Sequence, residues 1–133
     1  MSFAEVRLIQ LPKILDERGN LSFFENNKQL PFEIERVYWI YDVPGGEKRG
    51  GHANKNSQEV IIALSGSFDV ILNDGTEEKL FALNRSYYAL YIPNMIWRHI
   101  ENFSTNALAL SATDTFYDEQ QYIRDFEMYK SFK

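Results

Sequence analysis

The 133 residues are 44% hydrophobic and 25% charged, with a net charge of −5. That is the balance of one globular domain, spanning 1–133, large enough to bury a core, and its sign argues against a nucleic-acid surface, which is usually basic. There is no cysteine for a disulfide framework or thiolate chemistry, no signal-peptide pattern in Met-Ser-Phe-Ala-Glu-Val-Arg, and no apolar run near the ~18 residues of a membrane span, so a cytoplasmic protein is expected.

Glu5 to Leu11 alternates roughly and reads as a strand stopped by Pro12. Asp16-Glu17-Arg18-Gly19-Asn20 is turn chemistry, and Leu21 to Glu25 is a short strand running into Asn26-Asn27-Lys28. After Pro31, the β-branched and aromatic run Ile34 to Tyr41 predicts a strong strand, closed by the loop Pro44-Gly45-Gly46. Phe68 to Leu72 and Glu78 to Leu83 flank the hairpin signal Asn73-Asp74-Gly75. Tyr87 to Ile92 ends at Pro93, and Ile96 to Phe103 and Ala107 to Thr113 complete about eleven strands. Short, regularly spaced strands joined by turns predict an all-β sandwich or barrel. Only Asp118 to Tyr129 reads helical, with Tyr122, Phe126 and Tyr129 at i, i+4 and i+7.

The stretch that carries chemistry runs from Arg49 to Gly66. Gly50-Gly51 permits a sharp turn or a close backbone approach to a ligand. His52 and Asn54 share one face of a strand, and the apolar run Val60 to Leu64 leads to the Ser65-Gly66 turn. Small β-barrels build interior sites in this way, from alternate side chains.

This layout resembles the first motif of the cupin superfamily, His-x-His, then Glu, then Gly. His52, Glu59 and Gly66 take the first His, the Glu and the Gly slots, and Asn54 stands where the second His would be. The second cupin motif is similar to the run from Pro93 to Asn102, with Met95 in place of its Gly and Arg98 in place of its His. Further strings, Pro31 to Tyr38, Arg49 to Ala53, Leu64 to Ser67 and Tyr117 to Arg124, resemble the WxcM-like sugar-nucleotide 3,4-ketoisomerases over nearly the whole chain. The resemblance implies a cupin (RmlC-like jelly-roll) antiparallel β-barrel with a short C-terminal helix, assembled as a homodimer. It further implies a metal-free enzyme that isomerises dTDP-4-keto-6-deoxyglucose to a 3-keto sugar for amino-deoxy sugars of surface glycans. The open edge of the Glu5–Leu11 strand gives a dimer a second motive.

Moving a ketone from C4 to C3 needs a base for the C3 proton, support for an enediolate, and return of a proton at C4. A histidine suits the base, since its ordinary pKa lies near the working pH. His52 is that base by expectation, with Asn54 orienting a substrate oxygen, because an amide cannot exchange a proton at neutral pH. The resemblance places Tyr38, Arg49 and His52 at active-site positions. Tyr38 is expected to donate to a sugar oxygen, and Arg49 and Arg98 to neutralise the pyrophosphate or the oxyanion. Arg18, Glu59 and Trp97 complete the expected substrate-binding set.

A typical cupin metal site uses His, His, Glu and His; only His52 and Glu59 remain, and a cationic Arg98 opposes a divalent ion, so neither metal nor other cofactor is expected. His99, neighbouring Arg98, should face the other way as a packing residue. Two other functions compete: a degenerate cupin that binds a sugar nucleotide without turnover, favoured by Asn54, and a related dTDP-sugar epimerase, disfavoured by the Tyr117–Arg124 tail.

Overall fold

Apolar residues recurring at every second position, broken by Gly, Pro, Asn and Asp, fold this chain as two facing antiparallel sheets. The computed structural model of the chain describes residues 3–133. Sheet I is ordered β1 (Arg7–Gln10), β9 (Tyr88–Ile92), β6 (Glu59–Ser65), β11 (Leu108–Thr113), β4 (Arg36–Ile40). Sheet II is ordered β12 (Tyr122–Ile123), β5 (Arg49–Asn54), β10 (Trp97–Glu101), β7 (Phe68–Asn73), β8 (Glu78–Leu83). β2 (Lys13–Ile14) and β3 (Leu21–Ser22) pair only with each other, making twelve strands among the described residues. The jelly roll expected from the resemblance is the observed class. Its barrel is two sheets facing across a core, not one ladder closed all the way round.

Alternation along β6 explains both layers. Ile61 and Ala63 point inward with Phe68, Val70, Leu72, Leu90 and Ile100 to fill the space between the sheets. Val60 and Ile62 point outward and are covered by Leu30 and Phe32 from the long connection before β4. A third cluster, Ala53, Ile123 and Tyr129, lies on the outside of sheet II beneath helix α1 (Phe126–Ser131). The Asn73-Asp74-Gly75 signal closes the β7–β8 hairpin: the Asp74 carboxylate accepts from the Thr76 and Glu77 amides, each at 2.9 Å.

The tail differs from the helix expected over 118–129. Asp118 caps a single 3-10 turn, Glu119–Gln121, after which Tyr122 and Ile123 pair with Asn54 and Ala53 as β12. Helix α1 begins only after Asp125, whose side chain accepts from the Glu127 and Met128 amides. The helical spacing of Tyr122 is overridden because its backbone finds partners on the free edge of β5. Met95, in the slot of the motif glycine, adopts the glycine-like φ of 62°.

Gly66 turns the chain between β6 and β7 at φ +66°, where an added Cβ would lie 2.4 Å from Ser104 Oγ and 2.9 Å from Ala107 Cα. Gly66→Ala should lower the unfolding free energy by about 1–3 kcal/mol, read from urea denaturation. An unchanged midpoint would show that this turn relaxes freely.

Candidate active site

The interior face of sheet II offers His52 and Asn54 from β5 and Arg98 from β10, with His52 and Arg98 opposite one another in register. Sheet I answers with Tyr38 from β4, Glu59 from β6 and Ser111 from β11; Glu59 is opposite Thr113, and Tyr38 is opposite Ser111. The two sets meet through Glu59 and Arg98, each only 2% exposed. Arg98 Nη1 donates to Glu59 Oε1, while Arg98 Nε and Nη2 donate to the Ile96 carbonyl at 3.2 and 3.1 Å. Glu59 Oε2 accepts from Ser111 Oγ at 2.6 Å and from Tyr38 Oη at 2.5 Å.

This network sets the protonation states. Burial pushes the Glu59 carboxyl up, but the Arg98 charge and the Ser111 and Tyr38 hydroxyls overcome it and hold the group ionised below the ordinary range. The Tyr38 phenol is pushed up, first by burial and then by the Glu59 charge. Burial, reinforced by the Arg98 charge, pulls the His52 imidazole down to about 4 against the opposing pull of Glu59. His52 is therefore a neutral, proton-accepting imidazole at physiological pH. Asn54 is 3% exposed, and its Oδ1 is buried without a hydrogen-bond partner, an open acceptor on the same face as the base.

The wall of the site is the arm between β11 and α1. Ser57 Oγ donates to Gln121 Oε1 at 2.7 Å and the Lys55 amide to the Gln121 carbonyl at 2.9 Å, which sets Tyr122 edge-on to His52 with ring centroids 4.9 Å apart. At the rim Arg124 grips Glu119 at 2.7 and 3.1 Å, and Tyr117 donates to the same carboxylate. The Arg124 and Tyr117 hydrogen bonds draw the exposed Glu119 carboxyl down to about 2. Arg36, which sequence reasoning passed over, belongs here too: its Nη2 donates to Tyr122 Oη at 3.3 Å. The signal was available, because Arg36 and Tyr38 share a face of β4 by the period of two.

Of the candidates read from sequence, His52, Asn54, Tyr38, Glu59 and Arg98 come together. Two of their roles change. The Tyr38 proton is directed at Glu59, so toward a sugar Tyr38 offers lone pairs, not a donor. Arg98 is turned onto Glu59 and a carbonyl, so it acts on the site through its field, not as a direct anion clamp. Trp97 lies on the outer face of sheet II, packed against Phe126 and Tyr129 at 5.2 and 5.7 Å, because its neighbour Arg98 points in. His99 shares that outer face, as expected, paired with Glu101 at 2.8 Å. Arg49 is exposed and lines an outer groove with Trp97 and His99, on the face opposite His52, as three positions along β5 require. Arg18 sits on the β2–β3 hairpin with its side chain 90% exposed, bonded to Asp16 and apart from His52.

A cupin-type metal does not fit these residues. Glu59 is already shared among Arg98, Tyr38 and Ser111, and a buried guanidinium faces His52.

A jelly roll with an interior neutral histidine beside a buried carboxylate–guanidinium pair places the chain in the cupin class. Its sequence matches the model of the WxcM-like, C-terminal family over residues 4–133. The chain is 38% identical over 128 residues to the TDP-4-oxo-6-deoxy-α-D-glucose-3,4-oxoisomerase of Aneurinibacillus thermoaerophilus, covering 96% of this chain and 92% of that protein. It is 43% identical to the solved TDP-quinovose 3,4-ketoisomerase of Campylobacter jejuni, at TM-score 0.92 and covering 96% and 98% of the two chains. A His-to-Asn variant of a Thermoanaerobacterium thermosaccharolyticum 3,4-ketoisomerase, solved with TDP-4-keto-6-deoxyglucose, is 34% identical, at TM-score 0.94 and covering 96% and 93%. The chain belongs to the WxcM-like family.

Replacing Arg98 with Met tests the network. It strands a buried carboxylate, and the expected loss is about 3–5 kcal/mol of stability. The pH dependence should also invert. In the parent the Glu59 pKa lies below its unfolded value of 4.5, so its contribution is present above that value and is lost on acidification through the folded pKa. Without Arg98, burial dominates and raises the folded pKa, so the variant should lose stability as pH rises. Urea unfolding at several pH values between about 2 and 8 reads both slopes; parallel slopes would remove Arg98 from the network.

Proposed function

We propose that this protein is a cytoplasmic sugar-nucleotide 3,4-ketoisomerase. It converts dTDP-4-keto-6-deoxyglucose to a dTDP-3-keto-6-deoxyhexose for amino-deoxy sugar and surface glycan synthesis. The observation that carries this reading is the neutral, half-buried His52 on the same interior face as the open acceptor of Asn54. The enzyme relatives named above support the reaction class.

In this reading His52 takes the C3 proton. The C3–H electron pair becomes the C3=C4 bond, and the carbonyl pair moves to O4, giving an enediolate. The proton then returns from the imidazolium to C4, O3 gives its proton to O4, and the ketone stands at C3. Asn54 Oδ1 and the Tyr38 oxygen accept from sugar hydroxyls and fix the ring over the imidazole.

His52→Ala should abolish C3 deuterium exchange in D2O, followed by NMR, while dTDP still binds. Asn54→His should raise kcat by up to ~10²-fold with little change in KM, because a second proton carrier acts on the transition state. The kcat/KM profile should fall on the acid side through about pH 4, where free His52 protonates. A parent that binds the sugar nucleotide but exchanges nothing would favour the degenerate binder that Asn54 keeps in contention.

We also propose a homodimer. The β2–β3 hairpin joins neither sheet and exposes Ile14, Leu21 and Leu15, the last at 72%. An isolated two-stranded hairpin is marginal in water, and a second copy would cover it and give Arg18 a substrate to bind. Light scattering should report twice the chain mass, and Leu15→Glu should shift it toward one. A monomeric parent would overturn the dimer.

A further inference from the structure

His52 lacks the partner that a catalytic imidazole usually has. In most such sites a carboxylate or carbonyl accepts from one ring nitrogen and so fixes both the tautomer and the ring plane. Among the described residues no group hydrogen-bonds the His52 ring, and the two carboxylates whose fields reach it are committed elsewhere. Glu59 is shared among Arg98, Tyr38 and Ser111, and Glu119 between Arg124 and Tyr117. What does lie against the imidazole is Tyr122, with ring centroids 4.9 Å apart and ring planes at 66°. That is the edge-to-face geometry that aromatic rings prefer.

The ladder builds this contact. Tyr122 stands opposite Asn54 in the β12–β5 pairing, so its side chain shares the inner face and meets His52, two positions before Asn54, along the diagonal. Its neighbour Ile123 points the other way, under α1. The Tyr122 ring is itself held at three points. Its hydroxyl accepts from Arg36 Nη2 at 3.3 Å, the Arg124 guanidinium lies 4.8 Å from its centroid, and the Tyr117 ring lies 6.0 Å away.

We propose that Tyr122 is a positioning residue that takes the place of the orienting carboxylate, its ring fixing the plane of the His52 imidazole, a role that rests on the ketoisomerase reading above. An aromatic contact fixes the plane while leaving both ring nitrogens free, and it adds no negative charge that would make the imidazole more basic. The nitrogen that takes the proton at C3 must also return it at C4, so a ring free to rock would miss one carbon or the other. The Tyr122 ring also keeps water from the imidazole, whose charged neighbours are Arg98 on β10, Glu59 on β6, and Arg124 and Glu119 on the arm.

The test compares the parent with Tyr122→Leu, Tyr122→Met and Tyr122→Phe by kinetics across pH and by titration with dTDP; the second aliphatic variant serves where the first fails to fold. An aliphatic side chain should lower kcat by about 10–100-fold and leave KM and dTDP affinity nearly unchanged. It should also move the acid limb of kcat/KM up from about 4 toward the ordinary histidine value of about 6.5, as water reaches the imidazole. Tyr122→Phe, which keeps the ring and loses only the hydroxyl, should recover most of the lost kcat and bring the limb back. If the aliphatic variants match the parent, the inference is wrong while the ketoisomerase reading stands. If kcat falls with the limb unmoved, Tyr122 only supports the fold, and if Tyr122→Phe loses as much as Tyr122→Leu, the hydroxyl and not the ring matters; either result overturns the inference. If the parent shows no C3 exchange, the isomerase reading fails and takes the inference with it.

Discussion

The arrangement of the site depends on one buried ion pair, Glu59 with Arg98. Removing two charges from water carries a penalty that their mutual attraction repays only with good geometry and further hydrogen bonds. Here Ser111 and Tyr38 fill the second carboxylate oxygen, and the Ile96 carbonyl takes the other guanidinium nitrogens. Because Glu59 comes from sheet I and Arg98 from sheet II, the pair also sets the relation between the sheets at the end of the core where chemistry takes place. Its fields then act on the neighbours in opposite directions. Glu59 helps hold Tyr38 protonated, and Arg98 helps hold His52 unprotonated.

Openness follows from the topology. Sheet I ends at β4 and sheet II at β12, and no ladder joins those edges; the contact between them is made by Arg36 and Tyr122 side chains. A seam closed by side chains can part for a ligand at little backbone cost, whereas a hydrogen-bonded barrel wall cannot. Tyr38, Arg36 and Tyr122 all line that seam. The arm carrying Tyr117 to Arg124 forms a wall there, pinned at its base by Ser57 and Gln121 and along β5 by the β12 ladder.

The strands and the turns were legible because they rest on local rules, alternation and Gly and Asn turn chemistry, and the core of the site because the run from His52 to Gly66 resembles a cupin motif. The misplacements have two causes, the strand period of two, which already turns Trp97 and Arg49 away from the site, and long-range pairing at Tyr122. Trp97 adjoins Arg98 in sequence but faces the other way, and α1 fills the space it points into. Arg49 lies three positions before His52, so the strand's own alternation turns it to the opposite face. Tyr122 keeps a helical spacing to Phe126 yet leaves the helix, because β5 offers its backbone an edge. Arg36 was hidden for another reason: an arginine at the start of a strand looks like ordinary surface until its hydrogen bond to Tyr122 is seen.

A depressed pKa at His52 bears on how a site with one base can finish the reaction. A weakly basic imidazole gains less from taking the C3 proton, which slows the first half. Its conjugate acid is correspondingly strong and returns the proton readily to C4, the adjacent carbon, which one ring on one face of the sugar can reach without a second carrier. What remains is the transfer from O3 to O4, the task for which an amide at position 54 is unsuited. Tyr38 cannot take it over by passing its own proton to Glu59, since Arg98 keeps that carboxylate ionised. In a cis enediolate, however, the two oxygens lie within hydrogen-bonding reach of each other, and the transfer can pass between them directly. Asn54 then contributes by accepting from one hydroxyl and so holding the pair in plane. On the proposed reaction, the chemistry would be slower than with a second histidine but would ask nothing of the site beyond the residues this fold brings together.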